Sequence, residues 1–379
     1  MDRHIVHLDL DTFFVSVERL RNRNLVGKPV LIGGSGDRAV VASCSYEARR
    51  FGIHSAMPMA QARKLCPEAI IIRGDVDQYE RKSREVTQII SEKAPIVEKA
   101  SIDEHYLDLS GMDRFFGCQQ FTDELRGRII KETGLPISYG LSINKTVSKI
   151  ATGIAKPNGA RTVPDGTEKP FLAPLSVRKI PGVGDKTYRE LCNLGVQLIH
   201  TLQQMDSTLL YNAFGEHGTT IWQRANAVDE APVVPYREEK SINREQTFGQ
   251  DTTDQQLLRR TLIGMVTELA FELRSHNRLA SCVTVKIRYS DWNTYTQQMH
   301  IPHSNMDHVL TEKALDLFHK LNQRRQLIRL VGVKLSDFAT GSYQVNLFSD
   351  TAENISLYQA LDSIRSKFGP KAITKAISL

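Results

Sequence analysis

The sequence predicts a multidomain α+β protein, and three observations carry that prediction. Short, branched-rich strand patterns alternate with helical periodicities over residues 1–166. A run that reads as all-helical, 167–228, follows a boundary marked by Pro164, Pro170, Pro174 and Pro181. Beyond the linker DEAPVVPYREE at 229–239, with two prolines and no amphipathic period, a second α/β set fills 240–338. At 379 residues the chain has length for about two to four cores rather than one.

In order along the chain, residues 4–8, PVLIGG at 29–34 and RAVVASCSY at 38–46 read as strands. A helical pattern runs through Phe14, Val17 and Leu20, and SAMPMAQARKLCP reads as a helix stopped by Pro67. Helices are expected over 78–93 and 119–133, with a strand from Ile102 to Leu109 between them. ISYGLSIN is strand into turn, opening the helix NKTVSKIATGIA, which the KPNG turn closes. After the linker, SINREQTF, ASCVTVKIRY, TYTQQMHI and IRLVGVKLSDF read as strands, with helices near 255–275 and 307–321. The tail 339–379 holds QVNLF at 344–348 and then a helix with Leu357, Leu361, Ile364 and Phe368 on one stripe.

Composition is that of an ordinary folded chain, 41% apolar and 24% charged. A net charge of +6 favours a polyanionic partner. The five cysteines are scattered without a CxxC pair, so neither a zinc framework nor a disulfide scaffold is indicated, and a reducing compartment fits. No stretch approaches the roughly 20 apolar residues that span a bilayer, and no secretory leader is evident. A cytoplasmic protein without membrane contact is the expectation.

Two acidic clusters lie far apart inside strand-like stretches: Asp9 and Asp11 in IVHLDLDTFF, and Asp103 with Glu104 in SIDEHYLDL. If the two segments pair in one sheet, their carboxylates converge and require divalent cations, because buried like charge is costly. Asp9 and Asp11 share a face if the strand stays extended, which makes Asp11 an equal candidate. Such a set, with the Leu10 carbonyl, could hold two Mg²⁺ ions about 3.5 to 4 Å apart. The residues alone leave open that these are surface acids at strand ends.

Tyr46 and Arg49, three apart in SYEARRFG, could grip a triphosphate, and Lys145, Lys149 and Lys156 form a basic stripe that is either a phosphate contact or a solvated face. In IPGVGDKT, Gly182 and Gly184 precede a helix whose N-terminus, with Lys186 in the first turn, suits a backbone phosphate. A tight helix-to-helix turn is the alternative. Residues 237–338 hold 15 Lys and Arg against 12 Asp and Glu, and period two could present Arg244, Lys286 and Arg288 on an exposed sheet face, which either suits a duplex backbone or is simply solvated.

Together HLDLDTFFVSVE, VVASCSYEARRFGIHSAMP, SIDEHYLDLS, SYGLSINKTVSKIATGIAKPNG and IPGVGDKT resemble, in order, the Y-family translesion DNA polymerases, closest to the bacterial DNA polymerase IV (DinB-like) group. The resemblance implies a right-handed polymerase: palm at 1–17 and 75–166, fingers at 18–74, helical thumb with a helix-hairpin-helix-like turn at 167–228, and an α/β little finger at 240–338. It implies low-fidelity, template-directed extension of primer–template DNA with deoxynucleoside triphosphates and release of pyrophosphate by a monomer.

The resemblance places the metal carboxylates at Asp9, Asp103 and Glu104 with the Leu10 carbonyl, for two Mg²⁺ ions or Mn²⁺ as a substitute, and ranks Asp11 second. It places triphosphate contacts at Tyr46, Arg49 and Lys156, and a steric gate against the ribose 2′-OH at Phe14. Small residues Val40, Ala42 and Ser43 fall over the nascent pair, and QVNLF becomes a sliding-clamp peptide anchored by Gln344, Leu347 and Phe348. His105 departs from the small residue usual after the Asp-Glu pair. Once these segments are assigned, none remains for a proofreading exonuclease.

Overall fold

The computed structural model describes residues 3–112, 117–341, 351–369 and 372–373. Gln344, Leu347 and Phe348 lie outside them. The chain divides into two compact units, Met1–Arg237 and Glu238–Leu379.

The first unit is built on a five-stranded sheet whose order is β5 (Ile96–Lys99), β6 (Glu104–Asp108), β1 (Ile5–Leu10), β7 (Ile137–Ser142) and β8 (Ala160–Thr162). Its centre is β1, antiparallel to both β6 and β7. Alternation along β1 decides what each face does. Val6, Leu8 and Leu10 enter a core with Val86, Ile90, Leu125 and Ile129 of α4 (Val76–Ser91) and α5 (Cys118–Thr133). His7 and Asp9 turn to the opposite face, which α6 (Lys145–Ala155) covers.

Gly140 on β7 makes that second layer possible. A Cβ there would run into the Ser148 carbonyl and lie 2.6 Å from the Thr152 nitrogen, so α6 rests on bare backbone. Asn144 caps α6 by accepting from the Val147 N–H at 2.9 Å.

A separate three-stranded sheet, β3-β2-β4, consists of β3 (Val41–Cys44), β2 (Val30–Gly33) and β4 (Ile70–Ile72). It packs with α2 (Tyr46–Arg49) and α3 (Met59–Leu65) around Leu31, Val41, Ala48, Met59 and Ala62. The expected strand 38–46 is thus shorter, because Ser45 caps α2 through the Ala48 N–H and takes Tyr46 into a helix. Residues 168–225 are helical, from α7 (Glu168–Leu172) through α8 (Asp185–Asn193), α9 (Ile199–Gln204) and α10 (Ser207–Phe214) to α11 (Glu216–Ala225). Three strands had no sequence expectation: β4, β5 (Ile96–Lys99) and β8 (Ala160–Thr162), each of four residues or fewer.

The second unit is an antiparallel sheet, β11-β10-β12-β9. Its strands are β9 (Ser241–Thr252), β10 (Arg278–Tyr289), β11 (Thr294–Ser304) and β12 (Ile328–Thr340). One face carries the core, where Val283, Val285, Ile287, Val331, Val333 and Leu335 meet α12 (Gln255–Ser275) and α13 (Asp307–Leu321). A last helix, α14 (Thr351–Phe368), follows.

Candidate active site

The two acidic segments do pair. Asp9 stands directly opposite Glu104 in the register, and the Leu10 N–H donates to the Asp103 carbonyl at 3.0 Å. Strand β6 begins at Glu104 rather than Ile102, so Asp103 sits in the turn before it, its carboxylate accepting from Ser101 Oγ at 2.6 Å.

A cavity of about 150 Å³ opens at this end of the sheet, lined by Asp9, Leu10, Asp103, Phe14, Arg49 and Lys156 together with Ala42 and Ser43. Glu104 is not part of its lining, although it adjoins Asp9 across the strands. Val40 and Ala42 are exposed, and Ser43 is buried.

Lysines of α6 and the turn after it balance the acids. Lys156 Nζ donates to Asp9 at 2.5 Å, and Lys149 Nζ donates to Glu104 at 2.5 Å. Burial pushes the Asp9 carboxyl up to about 6 against the pull of Lys156, with Glu104 and Asp103 adding like charge. Glu104 moves the other way, down to about 2, held by the facing His7 imidazole and by Lys149. His7 Nε2 stands 3.7 Å from Glu104, beyond hydrogen-bond length, and burial lowers the His7 pKa, so His7 acts as a neutral dipole while Lys149 supplies the charge.

Asp11 has a different task. Strand geometry ends at Leu10, and Thr12 is left-handed with φ 42, so the extended geometry that would align Asp11 with Asp9 does not persist. The buried Asp11 carboxylate accepts from Tyr46 Oη at 3.1 Å, Ser138 Oγ at 2.9 Å and the Asn158 N–H at 2.6 Å. It ties β1, β7, α2 and the KPNG turn to one point. Tyr46, its phenol pKa raised by burial and by Asp11, also lies under the Arg49 guanidinium, 5.1 Å from ring centroid.

Phe14 stacks on Tyr79 with centroids 4.3 Å apart and planes 13° from parallel. Tyr79 is fixed in turn by donating to Glu18 Oε1 at 2.8 Å. His105 is fully buried with Nε2 2.9 Å from Thr87 Oγ1, and burial lowers its pKa to about 3, so it is a neutral packing residue.

The carboxylates that line this site, Asp9 and Asp103, are hard oxygen donors, and that of Asp9 is raised by burial beside like charge. That chemistry fits Mg²⁺. Asp9, Asp103 and Glu104 do not bring their oxygens within 4.8 Å of one another; among the described residues only Cys282, His300 and Asp337 form such a group.

Outside the cavity, Gly182 (φ 91) and Gly184 precede α8, with Lys186 exposed in its first turn. Arg224 Nη1 closes on the Pro181 carbonyl at 2.6 Å and on the bare side of Gly182. The basic stripe of α6 is not a solvated face: Lys145 is buried against Glu98 at 2.5 Å. Nor do Arg244, Lys286 and Arg288 share a sheet face. Arg244 pairs in register with the core residue Val333 and donates to Glu272 of α12 at 2.7 Å, whereas Lys286 and Arg288 alternate with core residues and point outward. Counting two along β9 from Ile242, an apolar position, is the signal that places Arg244 on the helix side.

His7, Tyr79, Ser138 and Asn158 carry no sequence expectation, whereas Tyr46, the third partner of Asp11, does. His7 was within reach, since it lies two residues before Asp9 and period two gives both one face.

Residues 8–153 match the impB/mucB/samB family, and residues 239–347 match the C-terminal domain of that family. The DNA polymerase IV of Dehalococcoides mccartyi strain CBDB1 is 38% identical over 371 residues, covering 97% of this chain and 95% of the relative. That of Halorhodospira halophila is 37% identical over 350 residues, covering 92% and 98%. Among solved structures, a Y-family DNA polymerase chimera of Dbh and Dpo4 superposes with a TM-score of 0.79 at 25% identity, over 89% of this chain and all of the other. No described helix is long and apolar enough to cross a membrane.

Proposed function

The chain belongs to the impB/mucB/samB family of Y-family DNA polymerases, in the DNA polymerase IV group, and from this we infer that it extends a primer 3′ end on a DNA template with low fidelity, as translesion synthesis requires. One observation carries the site assignment: Asp9 opposite Glu104, with Asp103 joined to Leu10, at a cavity that Arg49, Lys156 and Phe14 also line.

In this reading Asp9, Asp103, Glu104 and the Leu10 carbonyl would hold two Mg²⁺ ions, which would supply positive charge against the negative charge that develops when the primer hydroxyl attacks the α-phosphate in line and pyrophosphate departs. Arg49, Tyr46 and Lys156 bind and orient the triphosphate oxygens. The Phe14 ring lies under the sugar and collides with a 2′-OH, while the small Val40, Ala42 and Ser43 leave room over the nascent pair.

The first unit then comprises palm (1–17, 75–166), fingers (18–74) and thumb (167–228), and the second contains the little finger (240–338). Gly182, Gly184 and Lys186 at α8, with Lys286 and Arg288 on the outward sheet face, contact DNA backbone irrespective of sequence. QVNLF, outside the described residues, docks through Gln344, Leu347 and Phe348 on a sliding clamp, and the polymerase works as a monomer.

Asp103→Ala and Glu104→Ala are the test. Primer extension with Mg²⁺ is expected to fall by about a hundredfold or more while primer–template binding persists. Extension within threefold of the unmodified chain would reject the assignment.

A further inference from the structure

Cys282, His300 and Asp337 come from three neighbouring strands and have no part in the chemistry of the acids on β1 and β6. On β10, Ala280 and Val283 both enter the core although they are three apart, so the pleat reverses between them. The pairing of β10 with β11 shifts at the same place, between Ala280 and Cys282. On β12, Leu335 is in the core and Phe338 packs against it, again three apart, with Asp337 left-handed at φ 57 between them. The two reversals lie side by side, since Ala280 pairs with Phe338 and Cys282 with Ser336.

The consequence is a cysteine that is only 3% exposed yet stands outside the apolar cluster formed between the sheet and its helices. Cys282 stands across from His300 in the register, on the sheet face away from the helices. One ligand atom from each of Cys282, His300 and Asp337 lies within 4.8 Å of the others, and His300 Nδ1 is 3.6 Å from Asp337 Oδ2. Bond lengths of about 2.0 to 2.3 Å around a tetrahedral ion put neighbouring ligand atoms roughly 3.3 to 3.8 Å apart. The nitrogen–oxygen edge is already at that length, and the sulfur lies within 4.8 Å of both other ligand atoms.

We propose that Cys282, His300 and Asp337 form a three-ligand site for a borderline-soft divalent ion of the Zn²⁺ class, on the outward face of the second unit's sheet. A thiolate, an imidazole and a carboxylate select against Mg²⁺, which prefers oxygen alone, so this site and the acids of the cavity take different metals. Binding releases the thiol proton to solvent, and the two anionic ligands balance the ion's charge. The side chains of His300 and Asp337 are mostly exposed, which leaves a fourth position open to water.

The test uses the full chain, stripped with chelator and titrated with Co²⁺ in excess Mg²⁺, which keeps oxygen sites filled. One equivalent of Co²⁺ is expected to produce visible d–d bands and a near-ultraviolet thiolate-to-metal band, both removed by Zn²⁺ and unaffected by further Mg²⁺. Cys282→Ser should lose the thiolate band, and His300→Ala and Asp337→Asn should each weaken binding at least about tenfold. All three are checked for unchanged circular dichroism, with Cys282→Ala replacing the serine variant if that one unfolds. A missing thiolate band, a band that survives in the Cys282 variants, or half-saturation above about 1 mM, meaning an adventitious ion only, would overturn the proposal.

Discussion

Phe14 owes its position to a residue far away in sequence. Its ring lies flat on Tyr79, and Tyr79 is pinned by Glu18 on the same helix as Phe14, α1 (Phe13–Arg21), so the ring and its support form a closed loop of contacts. Removing the ring by Phe14→Ala should raise the efficiency of ribonucleotide relative to deoxynucleotide incorporation by at least about tenfold, measured by single-nucleotide extension with each substrate. An unchanged ratio would show that Phe14 does not select the sugar. At this scale the sequence exposes residues whose chemistry is costly without a partner: the paired acids could be read because buried carboxylates demand cations. Tyr79 and Ser138 could not, since an aromatic or a hydroxyl in a periodic pattern is equally content in any core. Arg244 differs from expectation because a strand period without its phase assigns no face; Ile242 fixes that phase and sends Arg244 toward the glutamates of α12.

Elements were legible where their period had room to repeat. The long helices and the strands of the second unit stand close to expectation, whereas β4, β5 and β8 are too short to display a period and exist because a neighbouring strand offers its edge. Helix α14 is the instructive case. The apolar stripe expected for it is present, but Leu357, Ile364 and Phe368 are 53%, 37% and 67% exposed. The face that docks is polar. Arg274 of α12 forms a two-pronged bond with Asp362 at 2.6 and 2.9 Å, reaches Asp307 at 2.8 Å, and lies over the Tyr358 ring. With its side chain 4% exposed, this arginine holds α14 to the unit by buried charge. Arg274→Ala removes the cation that Asp307 and Asp362 share, a loss of about 3 to 5 kcal/mol. Amide exchange across residues 351–368 should accelerate by about a hundredfold or more, and unaltered protection there would mean that the helix is held by other contacts.

Across the whole chain, composition located the linker but not its attachment. A segment with two prolines between folded stretches reads as a free tether, yet its first nine residues belong to the first unit. Asp229 accepts from the Thr146 N–H and hydroxyl at the start of α6, Arg3 donates to the Ala231 carbonyl, and Val233 is buried with Ile5 and Tyr106. Glu98 gathers Lys145, the Val234 N–H and Arg237. No local pattern announces such a staple, because every one of these contacts joins residues far apart in sequence. Glu98→Ala should free the segment, so that limited trypsin digestion at Arg237 accelerates by about tenfold or more; cleavage at the original rate would show that the other contacts suffice.

Gly140 carries a lesson for reading natural variation. Adding one methyl group there would lift α6 from the sheet and draw Lys149 and Lys156 away from their carboxylates, although Gly140 lies outside the cavity and bears no functional group. A genetic screen for lost polymerase activity would therefore rank this silent position beside the acids themselves, and a census restricted to reactive side chains would overlook it.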